Sequence, residues 1–102
     1  MSNQVANTIL EQLGGRRFQV MTGAKNFVGS ESGLSFRLPG AGGFTKHGIN
    51  VVSIELTPAD TYVMLFSRLR AGVLTVLAEH HDVYFDSLQE IFTRETGLVT
   101  HL

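Results

Sequence analysis

Between Gly33 and Pro39 the chain alternates strictly: Leu34, Phe36 and Leu38 are apolar, Ser35 and Arg37 polar. Successive side chains of a strand point to opposite faces, so residues 33–38 read as a half-buried antiparallel strand with one dry and one wet face. Such a strand cannot stand alone. It needs neighbouring strands, and an apolar layer over its dry side.

Three further segments supply strand neighbours. Residues 49–57 read as a strand in which Asn50, Ser53 and Glu55 mark the wetter positions. Thr57-Pro58-Ala59-Asp60 is a turn, because proline presets φ at its second position. Residues 61–69, with Thr61, Tyr62, Val63 and Phe66, form a long strand, and Arg70-Ala71-Gly72 folds residues 73–79 back as its hairpin partner. A fifth strand is expected at 17–22, with Phe18 and Val20 on one side. Thr22 to Phe27 is then a turn-rich connection.

Two helices supply the cover. Val5, Ile9, Leu10 and Leu13 lie on one face of a 3.6-residue period, with Ser2 or Asn3 as the cap and Gly14-Gly15 as the stop. Near the end, Asp82 is expected to cap a helix over 84–96 with an apolar stripe of Tyr84, Phe85, Leu88, Ile91 and Phe92. Asp86 and Arg94 complement its dipole, and Gly97 with Leu98 fits a left-handed ending. The order α-β-β-β-β-β-α with short turns predicts an α+β fold. Its antiparallel meander of about five strands has both helices on one face, as a two-layer sandwich. All 102 residues belong to one domain, and the opposite sheet face is left for a partner.

Several function classes lose ground on composition. There are no cysteines, so disulfides and thiolate metal sites are out, and a reducing compartment fits. No apolar run approaches the roughly 18 residues that span a bilayer, and the first residues carry no signal-peptide pattern. No membrane partner and no cofactor is expected. The net charge of −1 does not announce a polyanionic partner. The charge is uneven, however. Residues 1–51 hold five basic and two acidic side chains, a net +3, and residues 52–102 hold three basic and seven acidic, a net −4.

Each chemistry-bearing cluster has a structural role that competes with its chemical one. His80-His81-Asp82 offers imidazole and carboxylate, the groups of acid–base and metal chemistry. Adjacent strand residues diverge, though, and a closed zinc site wants three or four ligands. A strand exit with a helix cap accounts for the trio. The glycine-rich run Gly40 to Gly48, with Lys46, lacks the P-loop spacing and is followed by a strand, so it reads as a loop that could order against a partner. Thr22-Gly23-Ala24-Lys25-Asn26 could form an anion nest, with Arg16, Arg17 and Arg37 nearby if the first two strands pair. Arg68 and Arg70 share one side of a strand with Tyr62 and Phe66. If that side is wet, arginine and aromatic side chains alternate along it, a pattern suited to stacking on bases or to an interface. If it is dry, Tyr62, Met64 and Phe66 are core, and Val63 and Leu65 point outward. A strand apolar on both faces is either central or a dimer contact.

The chain also resembles a group of small uncharacterised proteins of tailed bacteriophages and prophages. The resemblance is carried by Ile9 to Gly15 leading to Phe18, by Met21-Thr22-Gly23-Ala24-Lys25-Asn26-Phe27, and by Leu34 to Pro39. It continues through Leu56-Thr57-Pro58-Ala59-Asp60 and the ending from Phe92 through Leu102. It implies a viral origin and a host-cytoplasmic setting, and brings no catalytic residues. The leading expectation is a non-catalytic binding protein for a host protein or nucleic acid, with a homodimer as a further reading. The alternatives are a nucleotide or anion binder around Lys25 and a minimal hydrolase around His80, His81 and Asp82.

Overall fold

A computed structural model of the chain describes residues 4–38 and 48–98. The expected caps Ser2 and Asn3, Lys46 with most of the glycine-rich loop, and the terminal His101 lie outside the described residues. The elements are α1 (Gln4–Leu13), α2 (Gly15–Thr22), β1 (Lys25–Gly29), β2 (Gly33–Arg37), β3 (Val51–Leu56), β4 (Tyr62–Arg70), β5 (Val73–Val83) and α3 (Leu88–Thr96).

α1 forms as expected and buries Ala6, Ile9 and Leu13. It stops at Gly14 (φ 128°) and Gly15 (φ 62°), backbone angles that side-chain-bearing residues rarely adopt. The chain then does not enter a strand. Residues 15–22 form a second helix, which corrects the expected strand over 17–22. The buried residues of this segment are Phe18 and Thr22, four apart, which is the helical spacing, while Val20 is 75% exposed. Arg16, Arg17, Gln19 and Met21 are good helix formers, and no strand partner competes for them.

The first strand instead lies in the segment expected to be a turn. β1 pairs antiparallel with β2, with an irregularity between Lys25 and Val28 where Asn26 takes φ 56°. The sheet is therefore five-stranded in the order β1-β2-β3-β4-β5, the antiparallel meander that was expected, with its first strand displaced along the chain. Asn50, just before β3, extends the pairing through its side chain. Its amide donates to the Leu69 carbonyl (3.0 Å), and its carbonyl accepts from the Leu69 N–H (2.8 Å).

β4 and β5 are joined by Ala71 (φ 52°) and Gly72 (φ 79°), the two positive angles of a type I′ hairpin turn. Alanine is a poor residue there, since the left-handed conformation costs an ordinary side chain about 1–2 kcal/mol. Ala71→Asn is expected to stabilise the domain by about 0.5–1 kcal/mol, read by urea denaturation. A destabilised variant would show that the turn is held by something other than its φ angles.

All three helices lie over one face of the sheet. Cross-strand register places Phe36, Val52, Phe66 and Ala78 in one row on that face, and Leu34, Ile54, Met64 and His80 in the next. Phe18 from α2 and Phe92 from α3 pack edge-to-face on each other at 5.1 Å, and Phe18 meets Phe36 at 5.4 Å.

The two helices that bring these rings end in the same way. In Phe18-x-x-x-Thr22-Gly23 and Phe92-x-x-x-Thr96-Gly97, the threonine hydroxyl donates to the phenylalanine carbonyl at 2.7 Å. It also accepts from the N–H two residues on. The glycine is left-handed in both, as expected for Gly97. Both buried threonines are thereby satisfied inside the core.

Asp82 does not cap a helix. β5 continues through it to Val83, and Asp82 sits at φ 54° where His81 and Asp82 together oppose Val63. A short 3₁₀ turn, Phe85–Ser87, precedes α3, whose cap position is Ser87. Strand pairing with β4 outlasts the expected boundary. Tyr84 and Phe85, expected in the apolar stripe, are each 62% exposed, while Leu88 and Phe92 are buried as expected.

Candidate functional site

The face opposite the helices is open. On it one row reads Lys25, Arg37, Val51, Ser67 and Val76, and the next reads Val28, Ser35, Ser53, Leu65 and Glu79. A third row holds Gly33, Glu55 and Val63. Val28 and Val76 are 63% and 52% exposed, and Leu74, nearer the hairpin tip, is 57% exposed. Val51, Val63 and Leu65 are half-buried. The three serines keep the middle of the face low, since their side chains are short.

This settles the parity of β4. Tyr62, Met64 and Phe66 are under the helices and fully or nearly fully buried. Val63 and Leu65 point outward. The alternating arginine–aromatic wet face therefore does not exist, because the aromatic residues of that parity are core.

The candidate binding residues separate into three places. Lys25 and Arg37 are direct cross-strand partners on the open face, with exposed Asn26 beside them. The Arg37 Nε is buried and has no hydrogen-bond partner among the described residues. Arg37 and Asn26 line a hollow of about 210 Å³ with Val28, Ser35 and Val51. Arg16 and Arg17 are exposed on α2, in the helix layer, and so do not join Lys25 and Arg37 in one basic patch. The patch required 17–22 to be a strand beside β2. Thr22 is buried, and its hydroxyl is taken up by Phe18 and Ala24, so it offers nothing to an anion at the Lys25 turn. Arg68 belongs to the helix-covered side, around a hollow shared with Ile49, Leu77, Ala78 and Glu95, while Arg70 is exposed at the hairpin.

The two histidines diverge as strand geometry requires. His80 Nε2 lies 2.6 Å from Glu95 of α3, with its ring edge-on to Phe66. His81 lies 3.3 Å from Glu79 on the other side. Among the described residues no group of three or more His, Asp or Glu side chains could hold a metal ion. The His80–Glu95 contact ties β5 to α3 across 15 positions.

Burial raises the pKa of Tyr62 above its ordinary value, so its phenol stays protonated and donates to Gln12 Oε1 at 2.9 Å. Above that bond runs a groove of about 760 Å³ lined by Gln12, Phe85, Asp86, Gln89, Glu90 and Thr93.

Sequence reasoning missed Val28, Val51 and Val76 as members of the open face. Their shared parity with Ser35 and Leu65 becomes visible only once the strands are paired. No described helix is long and apolar enough to cross a membrane. Comparison with protein families, with curated proteins and with solved structures returned no match.

Proposed function

We propose that this chain is a non-enzymatic protein-binding domain whose working surface is the open face of its sheet. The observation that carries the reading is the run of outward-facing Val28, Val51, Val63, Leu65 and Val76 across all but one strand of an uncovered sheet. Outward apolar side chains spaced by small serines, with Val28 and Val76 exposed, are the kind of surface that marks interaction sites in small domains. Lys25, Arg37, Glu55 and Glu79 surround it, the polar rim of an interface.

A protein fits this face better than a nucleic acid. Base recognition by a sheet uses outward aromatic side chains as stacking platforms, and here Phe36, Tyr62 and Phe66 are buried. Two cations on the face are also few for tracking a phosphate backbone. The resemblance to phage proteins puts the proposed setting in the cytoplasm of an infected bacterium, with a host protein or a second copy of the chain as the partner.

Tagged wild-type chain recovered from phage-infected cells is expected to bring down a stoichiometric protein, and Leu65→Arg to lose it. Unchanged recovery with a folded Leu65→Arg chain would remove the open face from the proposal.

A further inference from the structure

We infer that the partner of the open face is a second copy of this chain, packed face to face about a two-fold axis. The inference rests on the proposed use of that face as an interface, and it names the occupant.

The sheet edges argue against association by adding strands. β5, the long edge, is interrupted twice: once where Leu77 is left between the Phe66–Ala78 and Ser67–Val76 pairs, and again at Asp82. β1, the other edge, is five residues long and irregular at Asn26. Bulges and short strands twist an edge away from further pairing. The face has no such protection: β2, β3 and β4 pair without a register shift, so its centre is continuous.

The charges on the face are arranged to suit a copy of itself. The cations Lys25 and Arg37 occupy the corner at β1 and β2. The carboxylates Glu55 and Glu79 lie away from that corner, toward the far end of β3 and on β5. A two-fold axis lying in the contact plane between them sets the basic corner of each copy over the acidic side of the other. The contact of Lys25 with Glu79 then occurs twice in the assembly, with Ser53 and Leu65 near the centre. In an isologous interface a single complementary pair of corners is used twice, so one opposed pair of charges on this face is enough to fix the register.

The size also fits. Five strands about 4.8 Å apart and roughly 20 Å long give a face of about 480 Å², so two copies cover about 1,000 Å². That reaches the lower bound of about 1,000 Å² for a specific interface, the size class of weak and transient association. The serines permit the sheets to approach to the usual spacing of about 10 Å.

The test is sedimentation equilibrium of the full chain from about 1 to 200 µM, the range that brackets the constant of a weak dimer. The expected species has twice the 11.2 kDa mass of the chain. Leu65→Arg is expected to be monomeric with an unchanged circular dichroism spectrum. Lys25→Glu and Glu79→Lys are each expected to weaken the dimer roughly tenfold, and the double variant to restore most of it. Both side chains are exposed, so this arm stands even if Leu65→Arg fails to fold.

A wild-type monomer throughout the range overturns the inference. So does a dimer indifferent to the charge exchange. If the wild type is monomeric but Leu65→Arg still abolishes recovery of a partner from infected cells, the second copy is wrong and the face reading stands. If neither measurement responds to Leu65→Arg, both fall.

Discussion

Phe36→Ala is expected to lower the folding free energy by about 3–5 kcal/mol and the Tm by at least about 12 °C. Phe36 is 1% exposed in the middle of β2. Its ring lies 5.4 Å from Phe18 of α2, 5.4 Å from Phe27 of β1 and 6.2 Å from Phe92 of α3. Removing it leaves a void where three elements meet, and the neighbouring rings cannot all move to fill it. α2 and α3 are short, and short helices draw most of their stability from such packing. The loss is a large share of the roughly 5–15 kcal/mol that holds a domain together, so partial unfolding at 37 °C is expected. Thermal and urea denaturation with circular dichroism check it. A change under about 1 kcal/mol would mean that the four rings are not the structural centre they are taken to be.

Phe36 also shows what could be read without coordinates. Its alternation with Ser35 and Arg37 identified a strand with a dry side, and the turn at Ala71-Gly72 identified a hairpin, because both signals are local. The helix endings at Gly14 and Gly97 were legible for the same reason. The segment 17–22 was not. Phe18 and Val20 fit a strand, Phe18 and Thr22 fit a helix, and six residues are too few to separate a period of 2 from one of 3.6. The positive φ at Gly14 and Gly15 restarts a helix there, and pairing with β2 makes a strand of Lys25–Gly29 although lysine, asparagine and glycine are weak strand formers. At Lys25–Gly29 tertiary pairing overrode propensity, whereas at 15–22 propensity and the glycine restart agree.

The candidate face was half legible for a related reason. β4 is apolar on both sides, so its own residues cannot say which side is wet. The answer comes from neighbours: Phe36 faces the helices, Val52 pairs with Phe36, and Phe66 pairs with Val52, which leaves Leu65 outside. Likewise His80 carried no sign of its partner, because Glu95 reaches it only after α3 folds over the sheet. The cations of the candidate site were recognised individually, but their grouping depended on a strand that is a helix.

Gly33→Ala is expected to be among the most damaging single-methyl additions in this chain. Its cost should lie at the top of the range of about 1–3 kcal/mol seen for overpacking. A Cβ at Gly33 would stand 2.4 Å from the Ile54 carbonyl oxygen and 3.2 Å from the Glu55 Cα. Those are backbone atoms of β3, so no rotamer change relieves the clash. The strands must part, at the expense of the β2–β3 hydrogen bonds and of the spacing of the open face beside Glu55. Gly72→Ala provides the contrast. Its φ is 79° with nothing within 4 Å, so it carries only the left-handed strain of about 1–2 kcal/mol and no collision. Urea denaturation of the two variants should therefore rank Gly33→Ala as the worse, and Gly33→Ala alone should also weaken the proposed dimer. If Gly72→Ala proves costlier, β2 and β3 do not approach as closely at Gly33 as the structure places them.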